Sequence, residues 1–450
     1  MTPDDVQRIT WRRALIVIVL ALAGFAFTLR VFYPGVMTWD STYVYSYIAR
    51  GQAGDWQSPL MTSLWAVIDP IAPGAGSMFL FIAALYWLAF ATLALALARR
   101  SRWLGAACLA LALAPPAFVF VGIIWRDILL AAAWLLAAAL VFAVAERGRK
   151  APIDVWRLAA QGLALVLLAF GFLLRPNALF AAPILAAFVI WPRRFDLKRA
   201  AILYAPAAAT LALMVPLVYY ALLGAKHEHP LHAIFVFDLA GISHFTGENQ
   251  FPVTWDAEEN AALIGSCYRP TDWDRYWTRD CQFVMAKIDA EKLFGSPALT
   301  RAWLRAVFSH PVAYLHHRLV VTANFLVNRN ATIWTLDVAH PERTVFPENR
   351  WFWTLKDVHD RLLPTPLFRA GTWLLVCVAW CALAWPRRAT PAGAFLIGTA
   401  GSAVIYMATF LPVGVAGDFR YALWAVLAGL AGAPVFAASR PFFRAKLSAE

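Results

Sequence analysis

Residues 32–65 read FYPGVMTWDSTYVYSYIARGQAGDWQSPLMTSLW. How this stretch is read decides how the rest of the chain is parsed. One apolar segment, about Trp11 to Val31, runs straight into it. A second, about Met78 to Ala98, takes over soon after it. The stretch 32–65 itself holds two carboxylates, Asp40 and Asp55, among aromatic residues, glycines and prolines. Most of the remaining chain is either apolar or a short basic connector. Carboxylates held beside aromatic side chains at a membrane surface are the first place to look for chemistry.

Composition sets the class. Of 450 residues, 61% are hydrophobic and 15% charged, and the mean hydropathy is +0.60. A soluble protein could not cover such a surface with polar groups. Several stretches are apolar for about 20 residues, the length that crosses a bilayer as a helix. Only closed hydrogen-bonded structures span lipid, and long apolar runs without alternation mean helices, not a barrel. The expected fold is an all-α polytopic membrane protein. The net charge of +12 would point to nucleic acid in a soluble chain. Here the basic residues cluster at segment ends, where they set orientation instead. The first apolar run reads as a retained anchor, since no small-residue cleavage site follows it.

Outward from residues 32–65, ten apolar segments can be placed. Segment three, from Trp103 to about Ile124, carries Pro115–Pro116, which should kink it. The short turn Trp125-Arg126-Asp127 leads into segment four, which ends near Ala145. Segment five is about Trp156 to Leu174. Arg175-Pro176-Asn177 turn the chain into segment six, which runs to Trp191, and segment seven is about Ala200 to Leu223. A polar region covers 224–365. Segments eight to ten are about Pro366 to Trp385, Ala392 to Leu411, and a last one ending near Ala438. The parts are therefore 1–223 with the loop 32–77, an outer domain of mixed structure at 224–365, and 366–450. In this parsing the N-terminus with Arg8, Arg12 and Arg13, the connectors RRSR, ERGRK, PRRFDLKR and PRR, and the tail all fall on one side. That side is expected to be the cytoplasm of a bacterial inner membrane, with both termini inside.

Within 224–365, residues 301–328 show apolar side chains at helical spacing, interrupted at Pro311. This reads as an interfacial amphipathic helix or as an ordinary core helix of the domain. Cys108, Cys377 and Cys381 sit in apolar segments and read as packing residues. Cys267 and Cys281 lie in the outer region and are either a disulfide or two free thiols. His227, His229 and His232 with Glu228 form either a loose metal set or a solvated loop. His316 and His317 read as interfacial.

The opposite side collects the remaining charges: Asp40 and Asp55, Arg126 and Asp127, Arg175 and Asn177, and Asp418, Arg420 and Tyr421. Charges at membrane boundaries often mark a substrate path. The alternatives are snorkelling or helix capping for each arginine, and an N-cap for Asp40. If the turns converge, arginine forks could bind a lipid phosphate and a carboxylate could take a proton from an incoming hydroxyl or amine.

Several stretches also resemble a known family. YPGVMTWDS after the first segment, GDW further along that loop, IWRD opening segment four, LLRPNAL between segments five and six, GDFRY before the last segment and SHPVAYL in the outer helix resemble the GT-C superfamily of polytopic glycosyltransferases. The likeness is to the branch of protein O-mannosyltransferases and lipid A aminoarabinose transferases, nearest to bacterial members with a PG…DS…DWHPP loop. It covers most of the membrane part and matches the outer domain only loosely. It implies a polyprenyl-phosphate sugar donor, an envelope lipid, glycan or protein as acceptor, a periplasmic active site, and Asp40 as the catalytic base with inversion. Asp55, Arg126, Asp127, Arg175, Asn177, Asp418, Arg420 and Tyr421 would bind substrate. Relatives with and without divalent metal leave the cofactor open. This chain departs from the pattern at Asp55-Trp56-Gln57-Ser58-Pro59, where the histidine of DWHPP is absent. The competing expectations are a transporter or flippase of a lipid-linked substrate, and an inactive envelope assembly factor.

Overall fold

The computed structural model describes residues 10–147, 154–338 and 343–439. Arg8, Arg149 and Lys150 of the basic connectors and the tail from residue 440 lie outside the described residues.

The first half of the chain forms α1 (Trp11–Phe32), α2 (Trp39–Ala49), α3 (Pro59–Ile68), α4 (Ala75–Ala98), α5 (Arg102–Leu111), α6 (Pro115–Val121), α7 (Arg126–Ala145), α8 (Val155–Leu174), α9 (Ala182–Ile190) and α10 (Leu197–Val215). The region that follows forms α11 (Leu231–Thr246), α12 (Ala257–Ala262), α13 (Phe283–Ala290), α14 (Pro297–Ser309), α15 (Pro311–Val327) and α16 (Arg350–Leu362). The last part forms α17 (Ala370–Ala384), α18 (Pro391–Ala408), α19 (Phe410–Val413) and α20 (Leu423–Ala438). No strand occurs among the described residues, only four isolated bridges. The region between α10 and α17 is thus helical, not of mixed structure.

Polar residues mark the helix starts. Thr10, Ser58, Asp154, Asp196 and Thr390 each accept a hydrogen bond from a backbone N–H of the first turn, as N-caps do. Among the described residues eight helices are long and apolar enough to cross a bilayer, or nine if the bent pair α5–α6 is one span, where ten segments are expected from the sequence. The chain is a multi-pass membrane protein. The proline pair in segment three does more than kink a helix. Pro115 and Pro116 open α6, and α5 and α6 meet at 61°, because a proline inside a helix removes a donor and clashes with the preceding turn. Segment six, expected as a full span, is a 3-10 turn (Pro176–Phe180) followed by the nine-residue α9. At 1.5 Å per residue α9 covers about 14 Å, half of a bilayer core.

The basic connectors nevertheless gather on one face. Arg100 pairs with Glu146 at 2.5 Å and donates to the carbonyl of Ala438 at 2.6 Å. The Arg387 guanidinium lies 5.7 Å from the Phe436 ring centroid, and Phe195 N–H donates to Arg388 O at 2.7 Å. The chain therefore returns to this basic face after α9 despite its shortness.

α7 and α20 are the most enclosed spans, and α10 exposes nearly all of its side chains. Trp134 of α7 meets Trp424 of α20 edge to face at 5.4 Å. Their indole N–H groups donate to Leu168 O (3.1 Å) and Ser402 Oγ (3.2 Å), as lipid-depth donors must. The two central spans begin, on the face opposite the basic one, at Arg126 and just after Arg420.

Above that face a second cluster is sealed. Asp238 on α11 holds Arg318 of α15 at 2.7 Å and accepts from the Trp303 indole at 2.7 Å. His317 Nε2 lies 3.2 Å from the same carboxylate, and the Tyr268 hydroxyl meets His317 Nδ1 at 2.9 Å. Asp238, His317 and Arg318 are all buried. Burial lowers the His317 pKa. Arg318 also donates to Gly414 O at 2.7 Å, tying these helices to the turn before α20. Cys267 and Cys281 are joined as a disulfide. His317, expected at an interface, is a core residue; His316 is exposed and stacks on Phe245 at 4.2 Å.

Candidate active site

Asp40 lies in the first turn of α2, where a carboxylate meets the positive end of the helix dipole. It is not the N-cap. Thr38 holds that place: its N–H donates to Ser41 Oγ at 2.7 Å, and the two hydroxyls are 3.3 Å apart. The Asp40 carboxylate is left for other partners. Backbone pairing brings those partners near. Val36 N–H donates to Gly122 O (2.8 Å), Ile124 N–H to Val36 O (3.0 Å), and the Trp125 indole to Thr38 Oγ1 (2.9 Å). The start of α2 is thereby fastened to the start of α7, one residue from Arg126.

Arg420, on the 3-10 turn Phe419–Ala422, forms an ion pair with Asp40 Oδ2. Its Nε lies 3.2 Å from Asp418 Oδ2, its Nη2 donates to the Tyr421 hydroxyl at 3.3 Å, and its guanidinium rests 4.8 Å from the Trp125 ring centroid. Arg175 pairs with Asp127 and lies 4.7 Å from the Tyr421 ring. Asn177 faces the Tyr406 hydroxyl at the inner wall of the same cluster. Arg126 differs from the other two arginines. It is half-buried and lines the cleft, and among the described residues it makes neither an ion pair nor a hydrogen bond, although the charges of Asp127 and Asp40 act on it. The cleft lies open between Asp40, Gln57, Met61, Trp125, Arg126 and Asp127.

Electrostatics follow from this placement. Burial alone would raise the Asp40 pKa. Arg420, Arg126 and Arg175 together outweigh it and hold the carboxyl below its ordinary value. Asp418 moves the other way, because burial outweighs Arg420.

Two residues join the site that sequence reasoning had not placed there. Gln57 Nε2 donates to Asp40 Oδ1 at 3.1 Å. The position where the resemblance expects a histidine therefore supplies a neutral donor to the candidate base. Asp274 arrives from the extramembrane region. Gly417 N–H donates to Thr271 O (2.7 Å) and Trp273 N–H to Val415 O (3.0 Å), which sets residues 271–274 over the turn carrying Asp418 and Arg420. Its side chain reaches solvent, yet desolvation and then Asp272 and Asp40 push its carboxyl up to about 6. No local pattern singles it out; its position depends on the pairing of 271–273 with 415–417.

Asp55 lies elsewhere. It accepts from the Tyr220 hydroxyl (2.8 Å) and from Glu228 N–H (2.6 Å), with His227 Nδ1 at 3.8 Å. Glu228 in turn accepts from Tyr43, from Tyr47 (2.5 Å) and from Trp56 N–H (3.0 Å). A Cβ on Gly54 would run into that carboxylate, so this contact requires glycine. This latch pins the loop on both sides of Gln57, since Ser58 Oγ donates to Leu173 O at 2.9 Å. His232 is turned away from a metal role: its Nδ1 accepts from Gly295 N–H at 2.9 Å. Among the described residues no three of His, Cys, Asp and Glu are grouped to hold a metal ion. The nearest partners of Asp40, an arginine and an amide, do not suit one either.

No family model matches this chain, and no curated protein matches it. Among solved structures, the chain is similar to the oligosaccharyltransferase AglB of Archaeoglobus fulgidus, in complex with an inhibitory peptide and a dolichol-phosphate, and to the oligosaccharyltransferase of that organism in the apo form. Each match has 14% identity and a TM-score of 0.40, and covers 98% of this chain and 52% of the other. The chain spans about half the length of those structures. By itself this likeness assigns no activity.

Proposed function

We propose that the chain is a membrane glycosyltransferase. It transfers a sugar from a polyprenyl-phosphate donor to an envelope acceptor, with inversion, on the face of Asp40. The observation that carries the reading is Arg126: a guanidinium that, among the described residues, makes no hydrogen bond or close ion pair, in the same cleft as a carboxylate held below its ordinary pKa. An arginine fork in that state suits a phosphate. The loop and turn resemblances name the reaction class. The site face is the periplasmic side of a bacterial inner membrane, because the basic connectors gather on the other.

In this reading the acceptor oxygen attacks the anomeric carbon and the bond from that carbon to the phosphate oxygen breaks. The bonding pair leaves with the lipid phosphate, whose added charge meets Arg126, with Arg175 and Arg420 behind it. The acceptor proton goes to Asp40. The low proton affinity of Asp40 means that it takes the proton late, once bond formation has made the hydroxyl acidic. Arg420 and Gln57 hold the two carboxylate oxygens toward the cleft.

The test is mass spectrometry of envelope lipids and glycans from three strains: one lacking the protein, one restored with it, and one restored with Asp40→Asn at equal expression. A defined sugar should vanish, return with the native chain, and stay reduced by about 10²–10⁴-fold in rate with Asp40→Asn. Full restoration by Asp40→Asn would sink the mechanism. If no sugar changes while a lipid-linked precursor accumulates, the chain is a flippase.

A further inference from the structure

α14 and α15 meet at an elbow around His310, where Pro311 begins the second helix. α15 then packs against the site-face ends of two spans. Arg318 bonds Gly414 just past α19, and Phe325 stacks on Phe410 at 4.1 Å. A Cβ on Gly371, at the start of α17, would sit 2.9 Å from Leu326 O. α15 is thereby packed against the site-face ends of two neighbouring spans.

The two sides of α15 differ. His317, Arg318, Val321 and Phe325 are buried. On the other side Val312, Leu315, Leu319 and Val327 are 81%, 52%, 50% and 63% exposed. Phe308, at the end of α14, extends this row at 79%. His316 is the polar residue on that side. A helix face turned to water is mostly polar; this one is mostly apolar. Arg301 and Arg305, both exposed, lie two turns and one turn before Phe308. The row also continues into the exposed apolar face of α17, Leu375 and Val378, through the Leu326–Gly371 contact. That face belongs to a membrane span, so the cover that fits both rows is lipid.

We propose that the α14–α15 elbow is seated in the lipid headgroup layer of the site face. Phe308 and Val312 enter the acyl boundary, and Arg301 and Arg305 meet lipid phosphates. Seating fixes the height of α15, and Arg318 passes that height to the turn leading to Asp418 and Arg420.

The test uses the full chain in nanodiscs of phosphatidylethanolamine and phosphatidylglycerol. A nitroxide is placed at Phe308→Cys, Val312→Cys or Arg305→Cys, with Cys108, Cys377 and Cys381 changed to alanine. Oxygen should reach positions 308 and 312 several-fold more readily than a water-soluble nickel chelate does, with the order reversed at 305. Ready access of the chelate to 308 and 312 overturns the proposal. So does exclusion of both reagents with spin–spin broadening that disappears on dilution with unlabelled protein, since a second copy would then cover the row. If the variants fail to fold, the unmodified chain is labelled with a membrane-partitioning diazirine. Adducts on 308–319 are expected; labelling of α17 without them overturns the proposal.

Discussion

The Asp238–Arg318 cluster and the Asp40–Arg420 cluster use the same parts: a carboxylate, arginine, and aromatic side chains bearing polar hydrogens. Around Asp238 the surroundings close. Trp303, His317, Tyr268 and the Gly414 carbonyl surround the pair, and nothing in it reaches solvent. Around Asp40 they stay open. Asp40 is partly exposed, and Arg126 stands beside it with no hydrogen bond or close ion pair among the described residues. A closed cluster can stabilise but gives a ligand no access. An open one keeps a charge at the cost of leaving it unsatisfied, which is the condition for binding. Residue type does not separate the two; access to solvent does.

The largest effect expected from this contrast is on stability. Arg318→Met strands Asp238 as an uncompensated buried charge and should cost about 3–5 kcal/mol. Arg126→Met, which breaks no pair, should stay within about 0.5 kcal/mol. Thermal unfolding of the two purified variants in one detergent measures the difference; equal losses would erase the distinction. Next in size, Arg126→Met should weaken binding of a polyprenyl phosphate by about 10–100-fold, the worth of one charge-assisted hydrogen bond. Titration of the lipid phosphate reads this directly, and unchanged affinity would remove Arg126 from the phosphate site.

Smaller still, Gln57→Ala removes one of the two holds on Asp40. Turnover should fall about tenfold with little change in unfolding temperature, in keeping with one hydrogen bond of about 1–1.5 kcal/mol. A fall in stability instead would make Gln57 a packing residue.

The smallest effect is on pH. His317 has a folded pKa below its unfolded value, near 6.5. Its contribution is present above that pH and is lost as pH falls from there toward the lowered folded value. Asp40, also lowered, keeps its ion pair with Arg420 until pH falls below the ordinary carboxylate range. Mild acid, about pH 5.5, should therefore loosen the sealed cluster before the open one. Hydrogen exchange of α11 and α15 against α2 across that range checks the order.

Much of the membrane layout was legible because its causes are local. Apolar runs bounded by arginines read as spans, and most of the basic connectors met again on one face. Pro115–Pro116 announced a break. Segment six was misjudged as a full span because composition marks an apolar run without showing that Pro176 and Pro183 leave only nine residues of regular helix. Asp55 and Gln57 show the limit at the site. Two residues apart in one loop, they face different partners, and the carboxylate went to the latch while the amide went to Asp40.

The sequence by itself determined the class, most of the spans, most of the sidedness, and a set of charged residues at the ends of helices facing one way. These follow from hydrophobicity, proline geometry and helix capping, all set by neighbours a few residues apart. Tertiary structure decided which charges meet. It gave Asp40 to Arg420 across 380 residues of chain and closed Asp238 with Arg318, His317 and Trp303. It left Arg126 unpaired in the cleft and brought Asp274 over it. Those outcomes depend on which helix ends pack side by side, and the strength of a charge's pairing is set by distance and burial, not by order along the chain.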